Sequence, residues 1–147
     1  MKLQATLLAL LATSHTQAAG TLTAVCKEPV GYAIGFRGEL GKFEKVSGPD
    51  GMAGGTVPIS WPSESETATI VIQGSGGRSI HSGKAVPVFR SPEQVSFVAV
   101  YPGAAYLYSL FLKSSTLMIS DHGLSLGFES GSAINKSMQA KCGINFS

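Results

Sequence analysis

The chain has 147 residues, 14% of them charged, and a formal net charge of +2. So sparse a charge pattern argues against DNA or RNA as a partner, because nucleic-acid recognition depends on concentrated Lys and Arg contacts to phosphate. The length suits one domain with a real hydrophobic core and is too short for two.

The first 18 residues have the organisation of a cleavable signal peptide. Lys2 precedes an apolar run over residues 3–12, and small side chains follow at Thr16 and Ala18. This charged start, short apolar core and small-residue exit are typical of a secretory signal, whereas a spanning helix needs about 20 apolar residues. A buried helix over the same run is the alternative. We predict an exported protein, periplasmic or secreted, with cleavage after Ala18, a single β domain over residues 19–147 and no integral membrane segment.

The two cysteines, Cys26 and Cys142, lie near the two ends of the mature chain. An even number of cysteines in an exported protein favours a disulfide. The sequence has neither the Cys-x-x-Cys spacing of a redox pair nor the cluster of further ligands that a metal site needs. We therefore predict a bond that ties the first segment of the domain to the last.

Short segments rich in Val, Ile, Thr, Tyr and Phe follow one another, with Gly or Pro about every ten residues. Their side chains alternate with a period of two, which is typical of strands with one buried face. In chain order, the predicted strands cover residues 21–26, 32–37, 56–61, 67–73, 85–90, 94–101, 105–113, 116–120, 124–128 and 133–142.

Two glycine-rich stretches are predicted to be loops. Residues 31–55 hold eight glycines and few large apolar side chains beyond the strand at 32–37, so a mobile loop is favoured there. Residues 74–83 lack the spacing of a phosphate-binding loop, since Arg78 stands where that motif needs Gly. They are predicted to form a flexible hairpin connection that carries Arg78 and His81.

The connections between strands indicate a meander. Pro102-Gly103 fits a type II turn, while Pro58 and Pro87 suggest strand edges or bulges. The last predicted strand, residues 133–142, also fits one face of a helix, and the alternation of polar and apolar side chains favours the strand. We predict an all-β fold, an antiparallel meander closing into a small barrel or sandwich, with its N- and C-terminal strands joined by the disulfide.

Chemistry-bearing residues are few. Only His81 and His122 remain after signal removal, which limits acid–base and metal options. Ser120-Asp121-His122 contains the residue types of a hydrolase triad, but neighbours along a strand point to opposite faces and cannot assemble one. We predict no catalytic residue, no metal site and no cofactor.

Aromatic side chains supply the most suggestive feature. Tyr106 and Tyr108 share one face of a predicted strand, and Tyr101 ends the strand before it. One interpretation is that these tyrosines are simply part of the hydrophobic core. Because buried tyrosines usually find a partner for the hydroxyl, a cavity with tyrosines pointing into it is the functional alternative. The candidate ligand-binding residues are Tyr101, Tyr106 and Tyr108, together with Arg78 and His81 of the glycine-rich connection.

The run FVAVYPGAAYLYSLF at residues 97–111, followed by LMIS at 117–120, resembles small exported bacterial β-proteins without an assigned activity. A signal peptide, a small β-barrel and one terminal disulfide are also similar to the layout of periplasmic inhibitors of lysozyme. That similarity concerns layout alone, since none of the inhibitory residues of that family can be matched here. The resemblance implies a binding role.

Export, the lack of a catalytic constellation and the aromatic hairpin lead us to expect a non-enzymatic protein. It would bind a protein partner or a small apolar ligand. A structural role in the cell envelope is the first alternative. A serine hydrolase that uses Ser120 or another serine with His122 or His81 is the second.

Overall fold

The computed structural model of this protein describes residues 20–37, 44–124 and 132–147. The predicted signal peptide, and the predicted strand at 124–128 beyond its first residue, lie outside these ranges. Within them, no helix is long and apolar enough to cross a membrane. The strands are β1 (Thr21–Arg37), β2 (Glu44–Gly51), β3 (Thr56–Pro62), β4 (Ala68–Gln73), β5 (Ser79–Arg90), β6 (Gln94–Tyr101), β7 (Ala104–Phe111), β8 (Thr116–Leu124) and β9 (Ser132–Phe146).

Eight of these strands form a closed antiparallel barrel. The order around the barrel is β1, β3, β4, β5, β6, β7, β8 and β9, and the pairing of β9 with β1 closes it. The remaining strand, β2, pairs with the second half of β1. The predicted all-β antiparallel fold is confirmed, and of the two architectures left open by the sequence the barrel is the one that forms.

The two N-terminal strands predicted from the sequence are halves of one strand, β1, interrupted by a bulge. Lys27 pairs with Lys141 and Val30 pairs with Gln139, so β1 has one more residue than β9 between these two pairs. Since side chains alternate along a strand, the extra residue exchanges the inward and outward positions. Even-numbered side chains face the lumen before the bulge and face solvent after it.

The exchange leaves an apolar stripe on the outside of β1. Val30, Tyr32, Ile34 and Phe36 follow the bulge on one face of the strand, and each is between 45% and 56% exposed. Their alternation along the sequence is regular, but these large side chains face outward and glycine and alanine face inward. A bulge of one residue is the physical reason.

Part of the predicted mobile loop is a strand. Residues 44–51 form β2, which corrects that prediction, while residues 38–43 lie outside the described ranges. The glycines opposite β2 have a packing role, because a Cβ atom at Gly31 would overlap the carbonyl oxygen of Ser137 and one at Gly35 would overlap that of Ala133. Glycine at these positions lets β9 approach β1 closely, so glycine content did not signal a loop here.

The predicted flexible connection at residues 74–83 is shorter in the structure. A 3-10 turn at Ser75–Gly77 precedes β5, which already begins at Ser79 and therefore contains His81. A register shift after Pro87 confirms the bulge predicted there. Pro58, in contrast, lies in a strand that is paired on both sides without a shift.

The core fills the middle of the barrel. Its largest fully buried side chains include Ile70, Phe97, Tyr108, Leu110 and Ile119. The final segment is the strand β9 rather than a helix. Cys26 of β1 and Cys142 of β9 lie directly opposite each other and form the predicted disulfide.

Candidate binding site

Four of the five residues predicted to bind a ligand lie together at one end of the barrel. The His81 ring stacks on the Tyr101 ring at a centroid distance of 5.0 Å and lies 5.6 Å from the Tyr106 ring. The Tyr106 ring is 5.3 Å from Tyr101 and 5.8 Å from Tyr108. Asp121 of β8 pairs directly with Tyr106 across the sheet. We call these five residues the tyrosine end.

The local sequence explains why the rings meet. Pro102 and Gly103 connect β6 to β7 in a two-residue turn, and Gly103 has the positive φ, 78°, that the Pro-Gly pair predicts. The turn returns the chain so that Tyr101 and Tyr106 point to the same face of the sheet. Gly83 of the neighbouring strand β5 makes room for the Tyr101 ring, because a Cβ atom at Gly83 would lie 2.8 Å from Cε1 of Tyr101.

The fifth predicted residue, Arg78, does not belong to this cluster. It follows the 3-10 turn between β4 and β5, its side chain is exposed, and it takes no part in the aromatic contacts of the tyrosine end. Its place on a turn agrees with the predicted connection at residues 74–83, but nothing in the described contacts brings its guanidinium to the tyrosines.

Ser120, Asp121 and His122 lie side by side in β8, so they alternate between the two faces of the barrel wall. Asp121 is buried in the tyrosine end, whereas His122 is exposed and its Nδ1 lies 3.0 Å from Oδ1 of Asn135. His122 therefore pairs on the outer surface and is not oriented by the Asp121 carboxylate. The three residues do not assemble into a triad.

Burial dominates the electrostatics of the tyrosine end. It raises the pKa of the Tyr101, Tyr106 and Tyr108 hydroxyls above their ordinary value. Burial also raises the pKa of the Asp121 carboxyl, and the Tyr106 hydroxyl and the Lys136 ammonium act in the opposite direction. Lys136 sits next to Asp121 on β9, but its ammonium lies 2.8 Å from the carboxylate of Asp50.

Three polar atoms of the tyrosine end are buried without a hydrogen-bond partner among the described residues. They are the hydroxyl oxygens of Tyr101 and Tyr108 and Oδ1 of Asp121. The two hydroxyls are neighbours that influence each other, but they do not reach hydrogen-bonding geometry. Such atoms are uncommon in folded proteins, and each destabilises the fold by about 1–3 kcal/mol relative to a satisfied one.

The opposite end of the barrel opens into a cavity of about 660 Å³. Its apolar lining comes from the ends of strands and from the segments that follow them: Leu22, Trp61, Val95, Leu112 and Phe146. Arg90, the last residue of β5, lies at its rim and is the one charged side chain among the described lining residues. We call this space the tryptophan cavity.

Trp61 is held firmly at the cavity wall. Its indole Nε1 donates a hydrogen bond of 2.9 Å to the carbonyl oxygen of Ser65, and its ring meets Phe97 edge-on at a centroid distance of 5.5 Å. The Arg90 guanidinium carbon lies 5.1 Å above the indole. Trp61 is only 5% exposed, so the cavity has one rigid aromatic wall with a cation over it.

The tryptophan cavity was not predicted from the sequence. Its lining residues come from five separate parts of the chain, and they lie at the ends of strands or directly beside them. One signal was available: Trp61, the only tryptophan of the chain, ends an alternating strand instead of lying in its middle.

The sequence matches no protein-family model and no curated protein. Among solved structures, the chain is similar to the isotype 1 transferrin binding protein B from serogroup B Neisseria meningitidis, with 7% sequence identity and a TM-score of 0.36. The match covers 79% of this chain and 26% of the other, so this chain spans about a quarter of that protein's length. A similarity this low carries no argument about function.

Proposed function

We propose that this protein is an exported binding protein that holds a small, mainly apolar ligand in the tryptophan cavity and acts by binding rather than by catalysis. The observation that carries the proposal is the cavity itself. Its volume, about 660 Å³, falls within the range of roughly 300–1,000 Å³ that is usual for ligand pockets. Its position at the mouth of a small barrel is one where such pockets are often found.

The lining of the cavity supports an apolar ligand. Leu22, Trp61, Val95, Leu112 and Phe146 supply hydrocarbon and aromatic surface. The hydroxyls of Ser63 and Ser91 accept hydrogen bonds from backbone N–H groups. At the tyrosine end, by comparison, the rings pack against one another at centroid distances of 5.0–5.8 Å. The tryptophan cavity is therefore the better candidate for ligand uptake.

Export is the second part of the proposal. The bond between Cys26 and Cys142 is of a kind that persists in oxidising compartments. Together with the predicted signal peptide, it supports a periplasmic or secreted location. Mass spectrometry of the protein recovered from its host tests this part: a mature chain beginning at Ala19 and two hydrogens lighter than its reduced form is expected. An unprocessed or reduced chain would contradict export.

A neutral fluorescent probe tests ligand binding directly. N-phenyl-1-naphthylamine has an apolar body and no charge, so it should bind saturably with one site per chain and brighten on binding. Trp61 is the only tryptophan, so energy transfer from it would show that the probe is bound to the protein. A titration without saturation, or without energy transfer, would contradict the proposal.

Two matched variants locate the probe. Leu112→Trp puts a larger side chain into the cavity and should weaken probe binding about tenfold or more. Leu107→Trp makes the same change on β7, at a side chain that is 41% exposed, and should leave binding unchanged. Equal affinities for the two variants would show that the probe binds elsewhere. Probe emission is the readout here because both variants add a second tryptophan.

A further inference from the structure

Resting on the proposed function, we propose that the tryptophan cavity selects an anionic amphiphile, with its apolar body inside the cavity and its single acidic group bound by Arg90 at the rim. A carboxylate, sulfate or phosphate monoester would satisfy this description, because all three present oxygen pairs that a guanidinium can bind in a bidentate manner.

The charge of Arg90 is available for a ligand. Within the described residues, the ion pairs join Lys113 to Glu93 and Lys136 to Asp50, and Arg90 takes part in neither. Glu93 is the acidic residue nearest to Arg90 along the chain, and its carboxylate is bound by Lys113. Since the Arg90 side chain is exposed at the rim, it can meet a ligand without rearranging the core.

The position of Arg90 is well defined. Its guanidinium carbon lies over the Trp61 ring, 5.1 Å from the ring centroid, and this cation–π contact holds the side chain beside the cavity. The turn after it is also fixed, because the Ser91 hydroxyl accepts hydrogen bonds from the backbone N–H groups of Glu93 and Gln94 at 3.2 and 3.0 Å. A preorganised cation loses little conformational freedom when a ligand binds.

The rest of the lining adds no opposing charged side chain. Apart from Arg90, the described lining consists of apolar side chains, glycine, proline and serine. A neutral ligand would therefore leave the guanidinium unused, and a cationic ligand would be repelled by it. Arg90 is therefore the one charged side chain of a largely apolar lining, which fits one acidic group on an apolar body.

Three amphiphiles with the same 12-carbon chain test the inference: dodecanoate, dodecanol and dodecylammonium, each used below its micelle concentration. Affinities are measured by displacement of N-phenyl-1-naphthylamine from the mature protein. Dodecanoate should bind about fivefold more tightly than dodecanol, as expected for one partly exposed ion pair. Dodecylammonium should bind more weakly than dodecanol.

Two variants assign the selectivity to Arg90. Arg90→Gln should lower the affinity for dodecanoate about fivefold and leave that for dodecanol unchanged. Arg78→Gln removes the same charge from an exposed turn between β4 and β5 and should change neither affinity. A similar loss in both variants would reveal a general charge effect and overturn the inference.

The outcomes separate this inference from the proposed function. Equal binding of all three amphiphiles, or tighter binding of dodecylammonium, would overturn the anionic preference and leave the apolar cavity as proposed. Failure of every amphiphile and of the neutral probe to bind would overturn both. Selectivity that survives Arg90→Gln would show that another group binds the acid.

Discussion

At one end of the barrel the lumen opens into the tryptophan cavity, whereas at the other end five side chains pack into it. Both ends are built from the same alternating strands. At the cavity, Leu22, Val95 and Leu112 leave a space of about 660 Å³ beside Trp61. At the tyrosine end, three tyrosines on two neighbouring strands pack against one another at ring-centroid distances of 5.3 and 5.8 Å.

The two ends also differ in how their polar groups are placed. The tryptophan cavity has one cation at its rim, where water can solvate it. The tyrosine end buries two hydroxyls and a carboxylate oxygen without hydrogen-bond partners among the described residues. A polar atom enclosed in this way destabilises the fold, while the same atom at an open rim is available for a ligand. The two ends should therefore respond in opposite ways to the loss of a polar group.

The largest effect should come from removing the disulfide, which lies between the two ends. Cys26→Ala with Cys142→Ala releases a link across 116 residues, and the loop-entropy model puts the loss of unfolding free energy at about 4–5 kcal/mol. Trp61 emission reports on the cavity and near-ultraviolet tyrosine dichroism on the other end. Denaturant titration of the variant should show both signals in one transition, at a lower midpoint than in the wild type.

That outcome would show that the two ends unfold as one unit, as expected because β1 and β9 pair along nearly their full length. Two separate transitions would contradict this and show that each end is a cooperative unit of its own. The reduced wild-type protein is the control, because it lacks the bond and keeps both sulfur atoms. It should behave like the double variant.

Much of the barrel follows from local sequence patterns. The alternation around Leu22, Ala24 and Cys26 predicted an inward face that the structure confirms, and the two cysteines predicted which strands close the barrel. The joining of the first two predicted strands into β1 could not be predicted in this way. The bulge follows Lys27, between two segments that are each regular, and only pairing with β9 shows that they are one strand.

The two ends differ in how far they could be predicted. Tyr101, Tyr106 and Tyr108 come together because a short hairpin connects their strands, so alternation and one turn were sufficient. Leu22, Trp61 and Phe146 come together only once the barrel is closed. No single residue or motif in the sequence indicates the empty space between them. A cavity is a property of the packed structure, and local patterns do not report it.

The next largest effect is expected from the buried hydroxyl of Tyr108. Because this oxygen has no partner among the described residues, Tyr108→Phe should raise the free energy of unfolding by about 1–2 kcal/mol. Tyr106→Phe is the matched control on the same face of β7. The Tyr106 hydroxyl lowers the pKa of the Asp121 carboxyl and thereby favours its charged form, so this control should be destabilised. Both values come from urea denaturation at neutral pH.

Opposite signs for these two substitutions would establish that the tyrosine end encloses an unsatisfied hydroxyl. If Tyr108→Phe is destabilised as well, the hydroxyl has a partner in solution, and ordered water would be the first explanation. The tyrosine end would then be a hydrated site instead of a packed one.

A smaller effect, dependent on pH, is expected at Asp121. Burial raises the pKa of its carboxyl above 3.8, so the folded protein holds this proton to higher pH than the unfolded chain. The contribution of Asp121 to the stability of the wild type should therefore be lost as pH rises from 3.8 through the raised pKa. Asp121→Asn stays neutral and should be more stable than the wild type at neutral pH, by about 1 kcal/mol.

The difference between Asp121→Asn and the wild type should disappear on acidification, because the wild-type carboxyl is then protonated. Thermal unfolding of both proteins across the acidic range measures it, and the other titrating groups cancel in the difference. A variant less stable than the wild type at neutral pH would contradict the prediction. It would show that the Lys136 ammonium outweighs the burial of the carboxylate.

The smallest effect on stability is expected at the cavity rim. Arg90→Gln removes the cation above Trp61, and an exposed contact of this kind contributes about 0.5–1 kcal/mol. The melting temperature should fall only slightly, while Trp61 emission should change because the cation above its ring is gone. Arg78→Gln should change neither. A loss of several kcal/mol at Arg90 would mean that the guanidinium stabilises the barrel itself, and a charge that the fold requires would not be free to select a ligand.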